Sequence, residues 1–210
     1  PARAGLMQEA TALARRRTPA LLMVLFALYS LMFFALFSFL PILLTARLGV
    51  SSQSAGGLSA LAAAANVVGN LAAGNLLARG VSRPLLIAVA ALVMGASALG
   101  IFLPLLGGWG AFFLCLLFSA TGGLIPATLL ATAPAAAGSA AMVPVMMGLL
   151  MTGSNFGQVT GPIAVGSVVS AWGWGAASVM VVAAAILAGL AAWLLARGAH
   201  NGASETRDPA

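Results

Sequence analysis

From Thr18 onward the chain is a series of long apolar runs separated by short breaks rich in glycine, proline or arginine. Six runs stand out, at about Pro19–Thr45, Ser54–Ala78, Pro84–Leu103, Trp109–Thr132, Ala141–Ala171 and Ala176–Ala196. The breaks begin at Arg47, at Arg79, at Pro104 with Gly107 and Gly108, at Pro134, and at Trp172 with Gly173. No charged residue and no histidine occurs from Pro84 to Ala196, and between Thr18 and Arg83 the only charges are Arg47, Arg79 and Arg83. A helix needs about 20 apolar residues to cross the hydrocarbon layer, and each run is of that order. Open strands would leave backbone groups unpaired in lipid. A barrel would alternate polar and apolar residues in short strands, which Ala62–Ala65 and the leucine and valine runs do not do. The pattern predicts an all-α membrane protein with six transmembrane helices in one domain over 19–196. Residues 1–18 are expected to form a cytoplasmic loop or tail, and 197–210 a disordered cytoplasmic tail.

Composition sharpens this picture. Hydrophobic residues make up 62% of the chain and charged residues 6%, where soluble domains carry roughly a quarter charged. The net charge is +6 and every basic residue is arginine. No basic face interleaved with aromatics is present to follow a phosphate backbone, which argues against nucleic acid as a partner. The arginines read instead as a topology signal. With the N-terminus in the cytoplasm, Arg3, Arg15, Arg16, Arg17, Arg79, Arg83, Arg197 and Arg207 fall inside and Arg47 alone falls outside, as the positive-inside rule expects. Six spans return the C-terminus to the same side, and Trp109, Trp172 and Trp174 then lie at the outer interface. Arg15–Arg17 ahead of an apolar run resembles the start of a secretory signal. The run that follows is too long for a signal core of roughly 7–15 residues, so a span is expected and not a cleaved leader. The absence of lysine, with abundant alanine and glycine, points to a GC-rich bacterial genome and so to a bacterial cytoplasmic membrane.

Candidate chemistry is sparse. Cys115 is the only cysteine, so neither an intrachain disulfide nor a cysteine metal site is expected. No metal, no cofactor and no catalytic residue is expected. Intramembrane hydrolysis at Ser154 would need a general base, and His200, the one histidine, follows the last span. No Asp or Glu lies in a span to relay protons.

The polar residues divide the spans unequally. The third and sixth runs are nearly pure Ala, Leu, Val and Ile and read as lipid-facing buttresses. The other four carry the amides, hydroxyls and rings. Asn66 and Asn70 share one face of the second span with Ala62 and Gly74. Two uses fit that face: interhelical hydrogen bonding, or the wall of a polar cavity. Gly153, Gly157 and Gly161 form a stripe on the fifth span that lets two backbones touch. Pro162 should bend that helix. Asn155 and Gln158, on a neighbouring face, are expected to face a cavity. In the first span Tyr29, Phe33 and Phe37 form an aromatic stripe, and the Tyr29 hydroxyl needs a partner. Gly122, Gly123 and Pro126 suggest a bend in the fourth span.

Three stretches carry a resemblance. Gly74-Asn75-Leu76-Leu77-Ala78-Arg79-Gly80-Val81-Ser82-Arg83 is similar to the loop motif G-x-L-x-D-R-x-G-R-R/K of the major facilitator superfamily, with Gly74, Leu76, Arg79 and Arg83 matching and Ala78 where the Asp would be. Gly157 through Gly166, with Gly161 and Pro162, is similar to that family's G-x-x-x-G-P-x-x-G-G helix motif, with Val165 in place of one glycine. Leu48–Leu58, leading into the second span, also resembles the family. The resemblance implies the C-terminal six-helix half of a permease that transports a small-molecule solute across the bilayer by alternating access. Such folds pair two six-helix halves about an axis along the membrane normal. The partner would then be an N-terminal half, from the same gene or a second copy, and Pro1–Arg17 the end of the connecting loop. In that frame Tyr29, Asn66, Asn70, Asn155 and Gln158 face the substrate path. Gly74, Arg79, Arg83, Gly153, Gly157, Gly161 and Pro162 form the gating and packing motifs. The alternative class is a truncated or non-transporting membrane assembly module.

Overall fold

A computed structural model of the chain describes residues 8–9 and 11–205, with side chains through residue 198. Arg3 and Arg207 of the topology argument lie outside the described residues, as does the side chain of His200. Among the described residues there is no strand. Residues 8–9 and 11–14 are helical, and after them come α1 (Arg17–Phe37), α2 (Leu40–Leu48), α3 (Ser52–Ala78), α4 (Arg83–Phe102), α5 (Gly108–Gly122), α6 (Leu124–Ala137), a short 3-10 turn (Ala140–Met142), α7 (Val143–Trp172) and α8 (Trp174–Glu205). Six spans are long and apolar enough to cross a membrane: α1, α3, α4, α5 continued by α6, the 3-10 turn continued by α7, and α8 over Trp174–Gly198. The protein is an all-α, multi-pass membrane protein.

The helix ends follow from local chemistry. The first run, expected as one helix to Thr45, breaks after Phe37. Pro41 cannot donate to the Phe37 carbonyl, and its ring crowds that carbonyl. The chain restarts as α2 with Pro41 in the first turn. Ser51 caps α3, its hydroxyl accepting from the Ser54 N–H at 3.2 Å. At the other end of α3, Gly80 takes φ +84°. Gly80 N–H donates to Leu77 O at 3.0 Å and Val81 N–H to Leu76 O at 3.1 Å, the paired bonds of a Schellman turn. The fourth span is interrupted only at Gly123. Its expected end at Thr132 is corrected, because Pro134 sits inside the last turn of α6 with its ring exposed. There it removes one hydrogen bond without a steric conflict in the core, and left-handed Gly138 ends the helix instead. α7 runs unbroken through Pro162. α8 continues past Ala196 to Glu205, so 197–205 are helical where a disordered tail was expected; 206–210 lie outside the described residues.

Inter-span contacts fix the up-and-down course. Gly153, Gly157 and Gly161 of α7 meet the backbone at Met23, Ala27 and Leu31 of α1 in the same order, so these two helices run parallel. Asn66 of α3 meets Ser119 and Asn70 meets Gly123 in the same order, so the second and fourth spans cross in parallel as well. One end of the bundle gathers Phe39, Arg47, Phe102, Gly108 and Trp174. The Trp174 ring stacks on Phe102 at 6.1 Å and meets Phe39 edge-on. Arg47 donates to the carbonyls of Phe102 (2.9 Å) and Leu103 (3.1 Å), satisfying the end of α4. The lone arginine at that end is therefore a cross-span helix cap.

The expected contrast between buttress and crowded helices is partly reversed. α4 is the most enclosed span, and α3 and α7 are the least. Alanine and glycine explain this, since small side chains let α4 and α8 close on each other at Gly95 and Ala185. The exposed strips of α4 (Leu85, Val89, Leu92, Leu99) and α8 (Val179, Ile186, Leu190, Trp193) are nonetheless wholly apolar, as lipid contact requires.

Candidate functional site

Polar side chains deep in the bundle join into two short networks that meet on α1. In the first, Asn66 of α3 donates to the Tyr29 hydroxyl at 3.1 Å and to the Ser119 carbonyl of α5 at 3.0 Å. Asn70 donates back to the Asn66 side-chain oxygen at 2.8 Å and to its backbone carbonyl at 3.0 Å. The two amides, one turn apart, act as a single clamp. In the second network Ser30 of α1 and Ser154 of α7 share a hydrogen bond at 2.9 Å, and Gln158 donates to Ser154 at 3.2 Å. Tyr29 and Ser30 are adjacent, so α1 carries one partner of each network and is the hub.

Small residues bring these groups into reach. A Cβ placed on Gly69 would strike the Ala120 carbonyl, and one on Gly123 the Asn66 carbonyl, so α3 and the α5–α6 junction touch backbone to backbone. The α7 stripe works the same way against α1. At Gly161 an added Cβ would lie 2.6 Å from Leu31 O; at Gly157 it would meet Ala27 O, and at Gly153 Met23 O. The aromatic stripe continues from Tyr29 to Phe33 (ring centroids 5.8 Å apart) and to Phe37, which stacks on Phe33 at 4.2 Å.

The structure brings together Tyr29, Asn66 and Asn70, and it seats Gln158 on the neighbouring network. Asn155 stands apart. Its side chain is exposed and makes no hydrogen bond among the described residues. Gly74, Arg79 and Arg83 are exposed around the end of α3 and start of α4, and nothing lies within 4 Å of a Cβ added at Gly74. Sequence reasoning missed Gly69 and the backbone partner at Ser119. The Gly69-x-x-x-Ala73 spacing was the available signal, since both are small and both are buried. The Ser119 hydroxyl is fully buried and has no hydrogen-bond partner among the described residues.

Chemically the seam offers neutral donors and acceptors. It can hydrogen-bond a polar solute or a water without supplying a charge. The Ser154 hydroxyl is engaged by a serine and an amide, neither of which accepts its proton as a base. A separate groove of about 420 Å³ follows the outside of the α1–α7 seam, lined by Met23, Val24, Leu28, Thr152, Phe156 and Thr160 among others. Of the sequence-predicted residues only Gly153 reaches it. No family model matches the sequence, and no curated protein matches it.

Proposed function

We propose that the chain is the second six-helix half of a solute transporter of the major facilitator type, working by alternating access against a first half. The N-terminus lies in the cytoplasm in this reading, and the arginine-rich end is the inner end. The observation that carries it is Asn155. It lies 12 residues into α7, about 18 Å along the axis, on a face shared with Phe156, Val159 and Ile163. An amide left unpaired in hydrocarbon costs several kcal/mol, so this face is turned away from lipid, toward an aqueous path or a partner half. The two parallel glycine-seamed pairs, α1 with α7 and α3 with α5–α6, support the same arrangement. They hold the inter-span amide and hydroxyl bonds described above, while α4 and α8 expose apolar strips. The small solute would meet neutral hydrogen-bonding groups from this half.

The test uses the intact carrier in sealed vesicles. With Cys115 replaced by alanine and any cysteine of the first half likewise replaced, Asn155→Cys gives a single-cysteine protein. A membrane-impermeant maleimide is expected to label it from either side, in separate experiments. Protection from both sides would place Asn155 against lipid or a sealed contact and refute the transport reading. Labelling from one side only would mean a fixed vestibule and no alternation.

A further inference from the structure

Among the described residues, the exposed positive charge is concentrated at one end of the bundle. Arg15, Arg16 and Arg17 precede or open α1, Arg79 closes α3, Arg83 opens α4, and Arg197 lies on the last turns of the sixth span. All six are exposed. The up-and-down course places them at the same end, and a Cβ on Gly138 at the end of α6 would lie 3.7 Å from the Arg16 guanidinium. The arginine at the opposite end, Arg47, is committed to the carbonyls of α4.

Glu9, on the same hollow as Arg16, is the one acid at the basic end whose side chain is described. The chain has three acids, Glu9, Glu205 and Asp208, and among the described residues Glu9 makes no ion pair. Three helices, α1, α4 and α7, also begin at this end. None has a side-chain cap or an acid in its first turn. Helix starts carry partial positive charge and helix ends partial negative charge; Arg79 and Arg197 lie at the ends of α3 and α8, whereas Arg15, Arg16, Arg17 and Arg83 lie at the starts of α1 and α4 and add to the positive potential there. The exposed arginines make this end a surface of positive potential, to which an anion is complementary. At the boundary of a membrane span, the anions at hand are lipid phosphates, and arginine binds phosphate through paired N–H donors. Arg16 also borders a hollow of about 340 Å³ with Leu13, Gly138, Ser139, Met142 and the exposed Glu9. The Arg197 guanidinium lies 3.7 Å over the Trp193 ring, a pairing of cation and aromatic ring suited to headgroup depth.

We infer that this end is a binding surface for anionic phospholipid headgroups, with Arg15, Arg16, Arg17, Arg79 and Arg83 holding the phosphates. The inference needs only the membrane-spanning fold and is independent of transport.

Native mass spectrometry of the full chain in detergent tests it, with phosphatidylglycerol and phosphatidylcholine as probes. Phosphatidylglycerol is expected to bind more tightly, with the preference shrinking as salt rises. Each arginine removed should weaken it about fivefold, because a basic residue near an anionic surface contributes about 1 kcal/mol. Two variants, R15Q/R16Q/R17Q and R79Q/R83Q, should each reduce the preference. The corresponding lysine variants keep the charge and should retain most of it. Equal affinity for the two lipids in the unmodified chain overturns the inference, as does an undiminished preference in both glutamine variants. If a glutamine variant fails to fold, the salt series on the unmodified chain decides: a preference that high salt leaves intact refutes it.

Discussion

Gly157 is the position where a single methyl group is expected to do the most damage. A Cβ there would strike the Ala27 carbonyl, lie 2.7 Å from Leu31 N and 2.8 Å from Ser30 Cβ. Ordinary contact begins near 3.4 Å, so α1 and α7 must separate by at least about 0.7 Å, since backbone atoms cannot turn aside. The same movement stretches the Ser30–Ser154 bond from 2.9 Å to about 3.6 Å, beyond hydrogen-bonding range. Overpacking of this kind costs roughly 1–3 kcal/mol, and an interhelical hydrogen bond in a membrane contributes about 0.6 kcal/mol. Gly157→Ala should therefore destabilise the bundle by about 2–4 kcal/mol. The assay is reversible unfolding in mixed micelles by titration with SDS, followed by helical circular dichroism. Gly148→Ala is the control, since it lies on the same helix with nothing within 4 Å of its Cβ. It removes a helix glycine without a clash and should be neutral or slightly stabilising. If Gly157→Ala loses no more stability than Gly148→Ala, backbone contact does not hold α1 to α7 and the reasoning fails.

The same titration checks three further outcomes. Asn66→Leu removes both bonds of its amide to Tyr29 and Ser119 and leaves Asn70 without its side-chain acceptor; a loss of about 1–3 kcal/mol is expected, against under about 0.5 kcal/mol for unbonded Asn155→Leu. Arg47→Met frees the carbonyls of Phe102 and Leu103 and should cost about 2 kcal/mol, the range for hydrogen bonds to a charged group. Gly80→Ala forces a side chain into the left-handed conformation of the Schellman turn and should cost about 1–2 kcal/mol.

The six spans were legible because lipid imposes a simple rule on composition and length. The internal breaks were harder to read, because a proline's effect depends on where it falls in a helix. Pro41 follows a run of aromatic residues, four positions after Phe37, and ends α1 there. Pro134 lies in a final turn with its ring exposed, and Pro162 within a longer helix, and both are absorbed. Helical spacing placed Asn66 and Asn70 on one face and could not say what that face meets. The neighbour is chosen by Gly69 and Gly123, whose missing side chains admit the other backbone. Asn155 and Gln158 show the same limit: three residues apart, one bonds Ser154 and the other is exposed. Burial of α4 was misread because hydrophobicity alone does not separate a lipid-facing helix from a central one. Both are apolar, and only the alanine-rich strip that closes on α8 marks the difference.

The bonding pattern separates rigid units from the joint between them. Ser30–Ser154 and three turns of backbone contact tie α1 to α7. The Asn66–Ser119 bond and the Gly69–Gly123 crossing tie α3 to α5–α6. Among the described residues, Tyr29–Asn66 is the one side-chain hydrogen bond that joins the first pair to the second. Such a bond is worth about 0.6 kcal/mol in a membrane, whereas opening either seam exposes backbone carbonyls already in contact across several positions. Packing of α6 on α1 and α7 also spans the joint, but it is sparser than the contact within either pair, so relative displacement of the two pairs costs less than internal loosening of either. The sequence already encodes that difference, since glycine is repeated at every turn along the α1–α7 seam, while across the joint one tyrosine hydroxyl makes the side-chain hydrogen bond.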